Sequence, residues 1–172
     1  VRGRKEHAED FTEFFAARFD TARRTAYALC GDWSEAEEIT QAAFVRVYSQ
    51  WSSARRINPS GYLRTTLTRV FLDSRRRGRQ WERPVAAPPE RPDVEPGGRD
   101  ERRELIAALQ RVPYRQRATL VLRFVQDLSV EQTAQALRCS PGTVKSQTAR
   151  GLVALRRAYE SAGRPQEARV RR

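Results

Sequence analysis

Leu128-Ser129-Val130-Glu131-Gln132-Thr133-Ala134, then Arg138-Cys139, then Ser140-Pro141-Gly142-Thr143-Val144-Lys145-Ser146 is the stretch that decides the fold. Ser129-Val130-Glu131-Gln132 is a capping box: a hydroxyl that accepts from the backbone three residues on, and a carboxamide that reaches back. It opens a short helix with Ala134 and Leu137 inside. After the turn at Arg138-Cys139, Ser140 reads as the N-cap of a longer helix. Pro141 is its first residue, where a missing N–H costs nothing. Val144, Leu152 and Leu155 are read as the buried face of that helix. A short helix, a turn and a longer helix over residues 129–157 make a helix-turn-helix.

The second helix then presents Thr143, Lys145, Ser146, Gln147 and Arg150 outward. An α-helix fits the major groove, and its first turns reach base edges. Gln pairs with adenine and Arg or Lys with guanine. A solvated basic face on an ordinary amphipathic helix fits the same spacing. The charge of the region favours the nucleic-acid reading, because residues 105–172 carry a net +9.

Upstream, Leu105, Ile106 and Leu109 mark a helix ended by Pro113, and Ala118, Val121, Leu122 and Val125 mark the next. Before them the composition changes. Five of the nine prolines lie between Pro84 and Pro96, followed by Gly97-Gly98. Proline fixes φ and removes donors, so this stretch reads as a linker. It is mildly acidic, with residues 81–104 at net −2, while residues 1–80 stand at +5.

The first unit has helical period throughout. Phe11, Phe15, Ala22, Ala26 and Leu29 recur on one side, with Phe14 and Phe19 widening the stripe, and Gly31 stops the helix. Ser34-Glu35-Ala36-Glu37 reads as a capping box for a second helix. That helix carries Ile39, Ala43 and Val47, with Phe44, Tyr48 and Trp51 beside them. A loop from Ser52 to Ile57 leads to Asn58-Pro59, an N-cap and first-turn proline. A third helix carries Leu63, Leu67, Val70 and Phe71 and ends in Arg75-Arg76-Arg77-Gly78. No stretch alternates with period two for long. The expected fold is all-α: two small helical domains joined by a Pro-rich linker, the C-terminal one holding the helix-turn-helix. The divisions fall at residues 8–79, 80–100 and 101–160.

The whole chain of 172 residues holds 33 Lys and Arg against 21 Asp and Glu, a net charge of +12 that points to a polyanion partner. The longest apolar run, near Ala118 to Val125, is broken by Arg123 and falls far short of the ~20 residues a membrane span needs. The polar run Glu6 to Asp10 does not suit a signal peptide. Cys30 and Cys139 make no disulfide framework and no CxxC pair, so a reduced, cytoplasmic chain is expected. His7 is the sole histidine, which leaves no means of building a His-based zinc site, a Ser-His-Asp triad or a Cys-His dyad. There is no GxxxxGK[ST] phosphate loop. No catalytic residue, metal site or cofactor is expected.

The run Val112-Pro113-Tyr114-Arg115-Gln116-Arg117, with the helix-turn-helix segments quoted above, resembles the C-terminal promoter-binding domain of bacterial sigma factors of the extracytoplasmic-function class. Glu35-Ala36-Glu37-Glu38-Ile39-Thr40-Gln41 with Phe44 resembles that class's polymerase-binding helix. Tyr62-Leu63 through Asp73, ending in Arg75-Arg76-Arg77, resembles its next helix. The resemblance runs in order over about residues 8–160. Arg138 stands where the family's turn usually has Gly, Arg69 where it often has Asn, and Tyr62 where it often has Trp.

The resemblance implies a protein that lends core RNA polymerase its promoter specificity. Its N-terminal domain would bind the clamp of the largest subunit and help open the −10 element. Its C-terminal domain would read the −35 element as duplex. The partners implied are core RNA polymerase, the second-largest subunit included, promoter DNA and an anti-sigma factor.

Residue chemistry can be set beside this. Glu35, Glu38 and Gln41 form an acidic face that phosphate would repel, suited instead to a basic protein partner; Phe44 completes the polymerase-binding set. Helix capping and dipole help account for acids near an N-terminus, at ~0.3–1 kcal/mol each. Trp51, Arg55, Arg56, Asn58 and Tyr62 place aromatics beside arginine, as stacking on unpaired bases requires. Tyr48 fits the core better, and Trp51 also fits a core position by spacing. Arg75, Arg76, Arg77 and Arg79 are candidate phosphate contacts or a solvated last turn. The rival reading is a stand-alone helix-turn-helix operator-binding regulator. It would need a dimer interface for two half-sites, and no heptad supplies one. A recombinase or nuclease with a helix-turn-helix tail would need a sheet pattern and clustered acids.

Overall fold

The computed structural model describes residues 2–78 and 99–162. The proline-rich linker up to Gly98, Arg79, the His7 side chain and the tail beyond Ala162 lie outside the described residues. Eight α-helices are described: α1 Arg2–Cys30, α2 Trp33–Ser49, α3 Trp51–Ile57, α4 Pro59–Gly78, α5 Arg99–Gln110, α6 Tyr114–Leu120, α7 Val130–Leu137 and α8 Pro141–Ala162. A π-helical turn, Val121–Val125, extends α6. No strand occurs among the described residues.

Helices α1, α2 and α4 pack on one another as the first unit, with α3 across one end. Ala26, Leu29, Ile39, Ala43, Val47, Leu67 and Phe71 fill its centre. An aromatic cluster closes the other side: Phe11 lies 5.2 Å from Trp51 and 6.3 Å from Phe44, and Phe15 lies 4.8 Å from Phe44. Such tilted and edge-on pairs are favourable beyond their burial.

In the second unit, α5 and α6 pack on α8, and α7 leans on α8. Gly151 makes the α6–α8 approach possible. A Cβ there would sit 3.1 Å from Leu120 Cγ.

The two units share one core. Leu109, Val112, Ala118, Leu120 and Val121 join the cluster built by α1, α2 and α4. Polar bonds cross the same boundary. Arg117 donates to the Leu29 carbonyl at 2.7 Å, Gln110 Nε2 to the Ala28 carbonyl at 3.1 Å, and Gln126 Nε2 to Thr25 Oγ1 at 2.7 Å. Arg69 on α4 donates to the carbonyls of Ala136 at 3.1 Å and Gln135 at 3.3 Å on α7.

Several local expectations need correction. The N-cap of α2 is Asp32, whose carboxylate accepts from the Glu35 N–H at 2.8 Å, so Ser34 lies inside the helix. Aspartate is as good a cap as serine, and it comes first along the chain. The segment expected as a loop from Ser52 to Ile57 is the short helix α3, with Ala54 buried. Helix α5 starts at Arg99, within the last two residues read as linker. Tyr48 is 53% exposed, its ring lying against Phe11 at 4.8 Å on one side only. Leu105, Val125 and Leu152 are exposed rather than core.

The exposure of Leu152 resets the rotation of α8. The buried positions are Val144, Gly151 and Ala158, seven apart, which holds one direction on a helix of 3.6 residues per turn. Leu152 lies about 80° away from Val144 around the axis. Gln147 lies nearer the inner line, about 60° away on the other side.

Candidate nucleic-acid interface

Helix α8 starts where its sequence says. Ser140 Oγ accepts the Thr143 N–H at 3.1 Å and shares a 2.9 Å hydrogen bond with the Thr143 hydroxyl. Before it, the capping box of α7 is complete: Gln132 N–H to Ser129 Oγ at 3.0 Å, and Ser129 N–H to Gln132 Oε1 at 2.8 Å. Arg138 takes the left-handed conformation between the two helices, at φ 53° and ψ 51°. A non-glycine residue there costs roughly 1–2 kcal/mol. The family's usual glycine would not meet this cost.

Thr143, Lys145, Ser146 and Arg150 are exposed on α8, as a reading helix requires. Gln147 is not. It is half-buried, and its Oε1 has no partner. It lines a cleft of about 190 Å³ with Thr143, Tyr114, Leu72 and Arg76. It does not face outward as expected, because Leu152 lies off the buried line of Val144, Gly151 and Ala158 and does not set the inward direction.

The second group lies around α3 and the start of α4. Asn58 Oδ1 accepts the Gly61 N–H at 2.8 Å and so caps α4. Arg56 is exposed, and Arg55 pairs with Asp10. Tyr62 is exposed at the rim of a cleft of about 560 Å³ that also holds Asn58, Arg64, Gln132 and Gln135. Trp51 drops out of the set. It is 4% exposed, with its ring against Phe14 and Phe11, and cannot stack on a base. Its helical spacing with Phe44 and Val47 outweighs its position next to the arginines.

Arg77 and Arg76 are exposed at the end of α4, Arg76 within 3.6 Å of Asp73. Arg75 is engaged elsewhere. It bonds Glu35 at 2.9 Å and lies 5.2 Å from the Phe71 ring centre. That one pair takes a residue from two expected interfaces, since Glu35 is occupied from inside the fold.

The acidic face of α2 is therefore Glu38 and Gln41, both exposed. Gln41 Nε2 donates to Glu37 Oε1 at 3.5 Å. Phe44 is 3% exposed and belongs to the aromatic core. The structure adds Ala42 and Val45 to this face, Val45 being 69% exposed. These four positions follow the i, i+3, i+4, i+7 pattern, so a helical wheel drawn from Glu38 would have found them.

Residues 14–82 match the model of sigma-70 region 2, and residues 102–155 match that of sigma-70 region 4. The chain is 34% identical over 158 residues to an RNA polymerase sigma-E factor of Streptomyces avermitilis, covering 88% of this chain and 86% of that one. It is 35% identical over 148 residues to the ECF RNA polymerase sigma factor SigE of Mycolicibacterium smegmatis, covering 80% and 56%. This chain belongs to the ECF class of RNA polymerase sigma factors. A solved structure shares the fold: the sigma factor RpoE of Bartonella quintana, in complex with the anti-sigma factor NepR. It is 23% identical, with a TM-score of 0.68 over 88% of this chain and 98% of that one.

As a sigma factor, the chain directs RNA polymerase to promoters. Its helix-turn-helix, α7 and α8, lies within the region 4 match, and α2 and α4 lie within the region 2 match. No helix among the described residues is long and apolar enough to cross a membrane.

Proposed function

We propose that this sigma factor divides promoter recognition between its two units, residues 8–79 and 101–160, joined by residues 80–100. Thr143, Lys145, Ser146 and Arg150 read the −35 duplex. Gln147 joins them once the cleft beside it opens. Arg55, Arg56, Asn58 and Tyr62 hold the opened −10 strand, and Arg76 and Arg77 contact phosphate. Glu38 and Gln41, with Ala42 and Val45, dock on the clamp of the largest polymerase subunit. The second-largest subunit and an anti-sigma factor are further partners. The protein works in the cytoplasm, without cofactor or metal, and is a specificity factor rather than an enzyme.

The observation that carries this reading is the separation of surfaces by charge. A basic chain of net +12 presents the exposed acidic-apolar stripe Glu38, Gln41, Ala42 and Val45 on α2, and exposed basic and hydroxyl groups on the first turns of α8. Phosphate repels the first and attracts the second.

Run-off transcription on genomic fragments, with core polymerase and mapped start sites, tests it. Glu38→Arg should lower polymerase association by about tenfold with helical content unchanged, since a charge pair at a protein interface contributes about 1.5 kcal/mol or more. Equal binding by Glu38→Arg and the unaltered chain would rule out the docking surface.

A further inference from the structure

We propose that Arg138, in the turn of the helix-turn-helix, holds a backbone phosphate of the −35 duplex, a contact that strengthens binding to every −35 element alike. The inference rests on the reading of α8 proposed above.

The backbone marks the position first. Among the described residues, Gly31, Asp127 and Arg138 take a positive φ. Glycine has no Cβ to clash there. Aspartate is one of the few other types that visits the left-handed region, because its short polar side chain bonds locally. Arginine has neither property. The turn itself does not call for it. The Arg138 N–H closes α7 on the Ala134 and Gln135 carbonyls, and glycine or asparagine would do the same with less strain. Strain that the turn does not require points to the side chain.

That side chain makes nothing inside the fold. It is exposed, and among the described residues its guanidinium has neither a hydrogen bond nor an ion pair. A second cation stands near it: burial, and after it the charge of Arg138, lower the pKa of Arg69. Arg138 borders an open hollow together with Glu131 and Gln135 of α7 and with Ser140 and Pro141, where α8 starts. The acid of this hollow is engaged elsewhere. The Glu131 carboxyl is held below its usual range by its own backbone N–H and by Ser129, with Lys145 and Arg123 adding to the effect. Arg138 is left as an unpaired cation beside the start of the reading helix.

Docking brings a phosphate to that place. In a helix-turn-helix the first helix crosses the DNA backbone, and the second enters the major groove by its N-terminal residues. The turn lies where the chain passes from one to the other. When Thr143 and Lys145 stand in the groove, Arg138 stands at its rim, and the rim is phosphate. A guanidinium meets phosphate oxygens with two parallel N–H donors. Phosphate carries no sequence information, so the contact adds the same increment on every site.

The test uses holoenzyme and duplexes from the mapped promoters that carry the −35 element and end before the −10 element. Affinity is measured on native and −35-substituted duplexes across a salt series. Arg138→Asn keeps a residue suited to the left-handed turn and removes the charge. Arg138→Gly removes the strain as well, and Arg138→Lys keeps the charge. Urea unfolding checks each variant, and Arg138→Gly should unfold no earlier than the unaltered chain. Arg138→Asn and Arg138→Gly should bind about three- to tenfold more weakly at low salt on every −35 sequence. Their salt slopes should be smaller by about 0.9, so the gap narrows about 3.5-fold as salt rises from about 50 to about 200 mM. Arg138→Lys should keep the slope and lose less affinity, as an ammonium binds phosphate as a point charge.

Four results overturn the inference. They are Arg138→Asn binding within about twofold of the unaltered chain at low salt, an unchanged salt slope, Arg138→Lys losing as much as Arg138→Asn, and a loss confined to particular −35 sequences, which would make Arg138 a base reader. The preference of the unaltered holoenzyme for native over substituted −35 duplex separates this inference from the reading beneath it. With the preference present, any of the four removes the Arg138 contact alone. With the preference absent, the reading of α8 falls, and the Arg138 contact falls with it.

Discussion

Replacing Arg117 by methionine should destabilise the chain by about 3 kcal/mol. Arg117 is 8% exposed. Its guanidinium donates to the carbonyls of Leu29 at 2.7 Å, Gln110 at 2.8 Å and Val112 at 3.0 Å, and also bonds Gln110 Oε1. Its Cζ lies 6.0 Å from the centre of the Phe71 ring. Methionine keeps most of the volume and removes every donor. Three buried carbonyls left without this partner cost about 1–3 kcal/mol each, roughly 6 together. Against this stands the cost of burying the cation. Burial, helped by nearby Arg75, pushes its pKa down from 12.5 to about 10, which is a penalty of about 3 kcal/mol on the charged form. The difference is the predicted loss. A depressed pKa on a base means that this penalty acts throughout neutral pH and is relieved only as pH rises through about 10. The loss should therefore be flat across pH 6 to 8.

Urea unfolding followed by circular dichroism measures it, with a lowered midpoint at unchanged slope. Arg117→Lys should lose less, because an ammonium keeps the charge but not the planar fork that serves several carbonyls. If Arg117→Met unfolds within 1 kcal/mol of the unaltered chain, the guanidinium gains no more than its burial costs, and the reasoning is refuted.

Three further outcomes follow from single residues. Arg138→Gly should raise stability by roughly 0.5–1 kcal/mol, because glycine relieves the left-handed strain but gives the unfolded chain more freedom; a lowered urea midpoint would mean that the Arg138 side chain contributes more than its backbone costs. Gly31→Ala should cost about 2 kcal/mol or more, since Gly31 sits at φ 76° and a Cβ there would fall 2.5 Å from Gln110 Cγ; an unchanged midpoint would show that Gln110 moves freely. A thiol-alkylating reagent should mark Cys139 in the folded protein well before Cys30, whose thiol is buried and pushed up to about 12 by burial, because only the thiolate reacts; mass spectrometry of native and unfolded samples reads this, and early labelling at Cys30 would contradict its burial.

The features legible in the sequence are those that depend on local chemistry. Ser129-Val130-Glu131-Gln132, Ser140-Pro141 and Asn58-Pro59 each fix a helix start within a few residues, and the structure forms all three caps. Gly31 ends α1 in the left-handed conformation, as its place after Cys30 indicates. The misread features depend on which of two equal candidates tertiary packing selects. Asp32 and Ser34 can both cap; Asp32 comes first. Leu152 and Gly151 adjoin, and apolarity favours Leu152, but only a glycine lets α8 approach Leu120 so closely. That one choice turns Gln147 from an outward base reader into a group facing a cleft. Neighbouring charge and family resemblance point Trp51 and Phe44 to partners, while their helical spacing points them into the aromatic core, and packing follows the spacing.

No local pattern could have shown that the units meet. Arg69 and Ala136 are far apart in sequence, and neither is unusual for its helix. The physical trace lies in charge without a local partner. Arg117 is buried, with no acid in its own helix, so its three carbonyl partners come from loop and helix ends, one of them in the other unit. A buried cation held only by carbonyls differs from a core leucine in what it contributes when the units separate. Separating the units exposes apolar side chains at a cost that scales with area. It also returns guanidinium groups to water, which solvates them well. The polar part of the interface therefore opposes opening far less than apolar contacts of the same size would. An interface joining Leu109, Val112 and Leu120 to Leu29 and Phe71, yet fastened by arginine and glutamine, therefore resists separation mainly through its apolar part.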